Sequence, residues 1–206
     1  MQSSAINDSQ TVPTYQAVVA HDEHTEEHQD LRMLGVVVFL IAESMIFLGM
    51  FVAYLIYRTG ATVWPPDNIE RELLLPGINT LILISSSFVM NRGAAAIKKD
   101  DNSGLQFWYL LTALMGITFL CGQVYEYSNL EFGLTTNIYA SSFYVLTAFH
   151  GMHVTFGVLL TLAVLWRSRQ KDHYSSESHF GPEASELYWH FVDVIWIVLF
   201  VLLYLL

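Results

Sequence analysis

Five long apolar runs, separated by short polar stretches, dominate the chain. They cover about residues 33–57, 73–97, 105–127, 138–166 and 187–206. Each is long enough, or nearly so, to cross a bilayer as an α-helix, which needs about 20 residues. The pattern predicts an all-α polytopic membrane protein, a bundle of five transmembrane helices. The second run is the most polar, with Asn79, Ser85, Ser86, Ser87 and Asn91. A polar stripe on an apolar helix belongs against other protein rather than lipid. Leu75-Pro76-Gly77 suits a helix entry. The fourth run exceeds what a bilayer requires and is expected to tilt or protrude. Trp64, Trp108, Trp166 and Trp189 fall near the expected interfaces, as anchors do.

The loops orient the bundle. Arg32, Arg92, Lys98, Lys99, Arg167, Arg169 and Lys171 lie on the N-terminal side, and only Arg58 and Arg71 on the other. That asymmetry predicts a cytoplasmic N-terminus and, with five spans, an outside C-terminus. Residues 1–32 read as an acidic, His-containing cytoplasmic tail with the composition of a flexible segment, ahead of a five-helix domain over 33–206. The tail lacks a basic n-region and an apolar core, so the first membrane helix is expected to be retained. His21, His24 and His28 lie among carboxylates there, a set open to a loose metal contact or to plain solvation. The Trp64-Pro65-Pro66 segment reads as a short, rigid outer loop.

Composition agrees: 53% hydrophobic, 14% charged, mean hydropathy +0.41. Net charge is −10 and the nine Lys and Arg are scattered, which argues against nucleic acid as a partner. Cys121 is the sole cysteine, so neither an internal disulfide nor a Cys-based metal cluster can form.

The candidate chemistry is the set of ionisable groups inside the runs. Glu43 lies roughly 15 Å into the first helix, near the bilayer midplane. His150 and His153, three apart, share a face of the fourth; His190 and Asp193 do so near the inner end of the fifth. Gln123 and Glu126 lie towards the outer end of the third. Glu43 and His153 reach similar depth, so a contact between them is sterically open. Three readings stand: groups that satisfy one another and fix helix register, groups that handle protons or lipid, or ligands of a metal or haem. Gly49 with Ala53, and Gly151 with Gly157, suggest close helix contacts.

Several blocks resemble subunit III of the haem–copper oxidases, the cytochrome c oxidase subunit III family. They are FYVLTAFHGMHVTFG (143–157), YWHFVDVIW (188–196), ESMIFLGMFVAY around Glu43, NTLILISSS from Asn79, GQVYEY from Gly122, and HFGPE (179–183). The resemblance covers nearly all of the chain after residue 33. It implies a non-catalytic core subunit of a proton-pumping terminal oxidase that reduces O₂ to water. No cofactor is expected in this chain; haem and copper would reside in subunits I and II, its partners. Cytochrome c would be donor to the complex without binding this chain. Subunit III of a quinol oxidase is the rival within the family, and a stand-alone proton channel the rival outside it.

By the same resemblance, Glu43 matches the family's intramembrane glutamate, and His150, His153, His190 and Asp193 its polar interior. Arg169, with Arg167 beside it, stands where the family places an arginine near a lipid phosphate, so a bound phospholipid is expected. The first helix matches the family's third, which leaves the two leading helices of the long forms unmatched. The expected location is a bacterial plasma membrane, or a thylakoid membrane if the source has one.

Overall fold

The computed structural model describes residues 13–66, 73–170 and 173–206, with side chains from residue 31 onward. Five helices follow in chain order: α1 (Pro13–Gly60), α2 (Leu74–Ile97), α3 (Asn102–Asn129), α4 (Ile138–Arg167) and α5 (Phe180–Phe200), the last running into a π-helical turn, Val201–Leu205. Each contains a stretch long and apolar enough to cross a membrane, in α1 from Leu31 and in α5 to Leu205. The chain is an all-α, integral membrane protein.

Two compact units divide the described chain. One ends at Phe39 and is helical from Pro13; the other, Leu40–Leu206, holds the interhelical packing described below. Helix α1 therefore starts well before the expected Met33. Apolar periodicity marks the part of a helix that lipid or protein covers, and a polar helical extension leaves no such mark. Arg71 and Lys171, counted in the charge asymmetry, and the side chains of His21, His24 and His28 lie outside the described residues.

Within the second unit, α2 packs on α3 and α5, α3 on α4, and α4 on α5, closing a ring of four helices. Local chemistry fixes the starts. The Asp101 carboxylate accepts from the Gly104 N–H at 2.9 Å and opens α3, and Asn137 Oδ1 accepts from the Ala140 N–H at 2.8 Å and opens α4. Pro76 lies in the first turn of α2, where its missing N–H costs nothing, as the Leu-Pro-Gly entry predicts.

Helix α5 departs from expectation. It begins at Phe180 rather than 187, so the HFGPE block is its N-terminal turn and not loop. Pro182 sits in that first turn, tolerated for the same reason. His179 Nε2 lies 2.9 Å from Glu183 Oε1, and Lys98 reaches the same carboxylate at 3.6 Å. The earlier start carries Trp189 about 13 Å into the helix. It is fully buried, not an interfacial anchor.

Trp189 is wedged at the centre of the ring. A Cβ at Gly116 of α3 would come 2.6 Å from its ring, and one at Gly157 of α4 would come 3.0 Å from it. Its indole N–H donates to Ser86 Oγ of α2 at 2.9 Å. Trp196, almost two turns on, donates to Thr80 Oγ1 of α2 at 2.9 Å and packs edge-on to Phe119 of α3. Of the polar stripe of α2, Ser86, Ser87 and Asn91 meet α5 and Asn79 lies against Gly122 of α3, whereas Ser85 is exposed. Gly157 makes the close contact expected of it, whereas Gly49 does not: nothing lies within 4 Å of a Cβ there. The outward faces of all five helices remain apolar, including Met45, Leu81, Phe88, Leu114, Leu159 and Val194.

Candidate functional site: intramembrane ionisable groups

The six candidate residues within the spans divide into four local sets. Glu43 of α1 meets His153 of α4, Oε2 to Nε2 at 3.2 Å. The depth match read from the sequence is realised as a contact. Phe47 and Phe149 cover the His153 ring at centroid distances of 5.0 and 4.7 Å, while the Glu43 side chain keeps 19% of its surface exposed. His153 Nδ1 lies 2.8 Å from the Phe149 carbonyl, which can only accept, so Nδ1 carries a hydrogen. Nε2 then faces the Glu43 carboxyl, and a hydrogen bond between them takes one hydrogen, carried by either group.

His190 and Asp193 of α5 make no hydrogen bond to each other. Ser87 of α2 joins them: its hydroxyl lies 3.0 Å from His190 Nδ1 and hydrogen-bonds Asp193 Oδ2. His190 Nε2 donates to Asn91 Oδ1 at 2.7 Å and has Glu186 Oε1 at 3.9 Å. Asp193 Oδ1 is buried without a partner.

Glu126 lies towards the other end of the ring. Its two carboxyl oxygens accept from Gln123 Nε2 at 2.9 Å and from the Tyr204 hydroxyl at 2.7 Å. Tyr204 belongs to the terminal π turn, so this contact ties the end of the chain to α3. Beside it, Tyr127 and Thr147 hydroxyls pair at 2.6 Å. His150 stands apart. It is fully buried, both ring nitrogens are unpartnered, and its ring lies against Trp196 at 4.9 Å and Phe119 at 6.0 Å.

At the end where α4 stops and α5 starts, Arg167 and Arg169 are both exposed. Tyr174 is buried in the connecting loop. Burial pushes its phenol above the ordinary value, and the nearby Arg167 guanidinium acts the other way. At the opposite end Arg58 donates to the Leu206 main-chain oxygen at 2.7 Å, and Trp64 donates to the Tyr54 hydroxyl at 3.0 Å. Among the described residues, no group of three or more His, Cys, Asp or Glu is placed to hold a metal ion.

The family profile for cytochrome c oxidase subunit III matches residues 14–206. The chain belongs to the cytochrome c oxidase subunit III family. The match takes in most of the polar N-terminal segment as well as the five helices. Subunit 3 of the cytochrome c oxidase of Synechocystis sp. (strain ATCC 27184 / PCC 6803 / Kazusa) is 65% identical over 207 residues, covering 100% of this chain and 88% of the relative. That of Thermostichus vulcanus is 56% identical over 196 residues, 95% of this chain and 97% of the relative. A probable subunit 3 from Mycobacterium tuberculosis (strain ATCC 25618 / H37Rv) is 37% identical over 185 residues, 88% and 91%. As a subunit III, the chain has a non-catalytic, accessory role in a proton-pumping terminal oxidase complex and is inert as an enzyme by itself.

The sequence singles out the ionisable ends of these contacts and misses their neutral middles. Ser87, Asn91 and Tyr204 carry no charge and recur throughout membrane helices. The one available signal was spacing: Asn79, Thr80, Ser86, Ser87 and Asn91 keep to one side of α2.

Proposed function

We propose that this subunit III packs beside subunit I of a cytochrome c-driven oxidase, with subunit II in the same complex, and supports proton uptake and the working life of the catalytic subunit. The Glu43–His153 contact carries the reading: a carboxyl and an imidazole meet at 3.2 Å within the spans, and Glu43 stays partly open. Glu126, through Gln123 and Tyr204, holds α3 to the terminal turn. Removing the chain from the assembled oxidase should leave initial O₂ reduction and shorten the enzyme's life in turnover. A complex without it that keeps full activity through prolonged turnover would refute the protective role. Complete loss of O₂ reduction in an assembled Glu43→Gln complex would refute the accessory one.

Cytochrome c is preferred over quinol as donor because the relatives carry the name cytochrome c oxidase. A dinuclear copper site in the partner subunit II decides it, and its absence would favour quinol. The N-terminus is placed in the cytoplasm, with 1–32 as an acidic extension. Lys98 and Lys99 after α2 and Arg167 and Arg169 after α4 support this, since both helices end on that side. Arg167 and Arg169 are proposed to hold a phospholipid phosphate, for which exposed guanidinium groups at the interface are chemically suited. The membrane is taken to be a bacterial plasma membrane, or a thylakoid where one exists.

A further inference from the structure

We infer that Ser87 is a proton-transfer hydroxyl joining His190 to Asp193, so that α2 and α5 together form a short proton wire. Ser87 Oγ has one hydrogen and two ionisable neighbours, Nδ1 of His190 at 3.0 Å and Oδ2 of Asp193. Asn91 Oδ1, 2.7 Å from His190 Nε2, holds a hydrogen on that nitrogen. Two hydrogen-bond arrangements fit these contacts. In the first, imidazolium Nδ1–H donates to Ser87, and Ser87 donates to the Asp193 carboxylate. In the second, Asp193 is the acid and donates to Ser87, and Ser87 donates to neutral Nδ1. Passage between them moves one hydrogen from Nδ1 to Oγ and the hydroxyl's own hydrogen from Oγ to Oδ2. The count of protons is unchanged, and one unit of charge has passed along α5 from His190 to Asp193 by way of the α2 hydroxyl.

The surroundings suit a wire better than a brace. A buried carboxylate held for structure collects two or three donors, as Glu126 collects Gln123 and Tyr204. Asp193 has Ser87 alone on one oxygen, and its other oxygen is buried and unpartnered. His190 is the open end. Its side chain is 34% exposed, and the Glu186 carboxylate 3.9 Å away gives a first acceptor on the path outward. Asp193 is 5% exposed and is the closed end.

The wire rests on the accessory reading only for the use made of the proton, because its exchange is read in this chain alone. The assembled complex is moved into D₂O buffer, and the infrared carboxyl band that Asp193→Asn removes is followed as hydrogen gives way to deuterium. Ser87→Ala should slow that exchange by roughly a hundredfold, the usual contribution of a positioned proton-transfer group, and Ser87→Thr should restore it. His190→Phe, which leaves Ser87 and Asp193 in place, should slow it to a similar degree. Exchange in either slowed variant within about threefold of the parent, well short of what such a group contributes, would overturn the wire. So would the lack, at every pH tested, of a carboxyl band that Asp193→Asn removes.

Discussion

Replacing Gly116 by valine tests the packing at the centre of the ring. A Cβ there would sit 2.6 Å from the Trp189 ring and 2.8 Å from Val158 Cγ2, both inside van der Waals contact. Trp189 is confined, because other atoms of the same ring lie against Gly157 and its N–H is held by Ser86 at 2.9 Å. Overpacking a filled slot costs about 1–3 kcal/mol, and the two added methyl groups place this variant at the upper end. The helix gains only a few tenths of a kcal/mol from losing glycine to a β-branched residue, so the clash wins. Gly49→Val is the control: a Cβ there meets nothing within 4 Å, and its effect should stay under about 0.5 kcal/mol. Reversible unfolding of the full chain from mild into denaturing detergent measures both. Trp189→Leu in the Gly116→Val background should recover part of the loss, giving a coupling energy of about 1 kcal/mol or more. A Gly116→Val chain as stable as the Gly49→Val control, or a double variant whose losses simply add, would refute the wedge.

Three further outcomes concern the polar groups. Glu43→Gln should keep the contact, since the amide can donate to His153 Nε2, whereas Glu43→Ala leaves that buried nitrogen unpaired and costs about 1–3 kcal/mol by the same unfolding assay. His150→Leu should be neutral or stabilising by up to about 2 kcal/mol, because both ring nitrogens are buried without partners; a loss above about 1 kcal/mol would show that they are satisfied. Arg167→Ala with Arg169→Ala should release phospholipid that the parent complex retains, read by mass spectrometry of the intact complex, while leaving the helix content unchanged.

Hydropathy alone determined how many helices cross the membrane and where most of them end, because a bilayer imposes one length and one solvent on every span. The same residues showed that the polar stripe of α2 needed a protein neighbour and that Glu43 and His153 share a depth. The motif blocks placed the chain in its family before any tertiary contact was known.

Other matters were decided by the fold. The start of α5 at Phe180 depends on polar residues whose helicity lipid does not enforce, and it turned Trp189 from an expected interfacial anchor into the buried wedge of the ring. The π turn that brings Tyr204 to Glu126 leaves no mark in hydropathy. That Ser87 bridges His190 and Asp193, while His150 only one turn before His153 finds no polar partner, depends on which helix faces are opposed. Composition and periodicity fix the faces of each helix, and only their packing sets which polar group meets which. In a medium without water that pairing settles whether an ionisable group is a brace, a proton carrier or a cost.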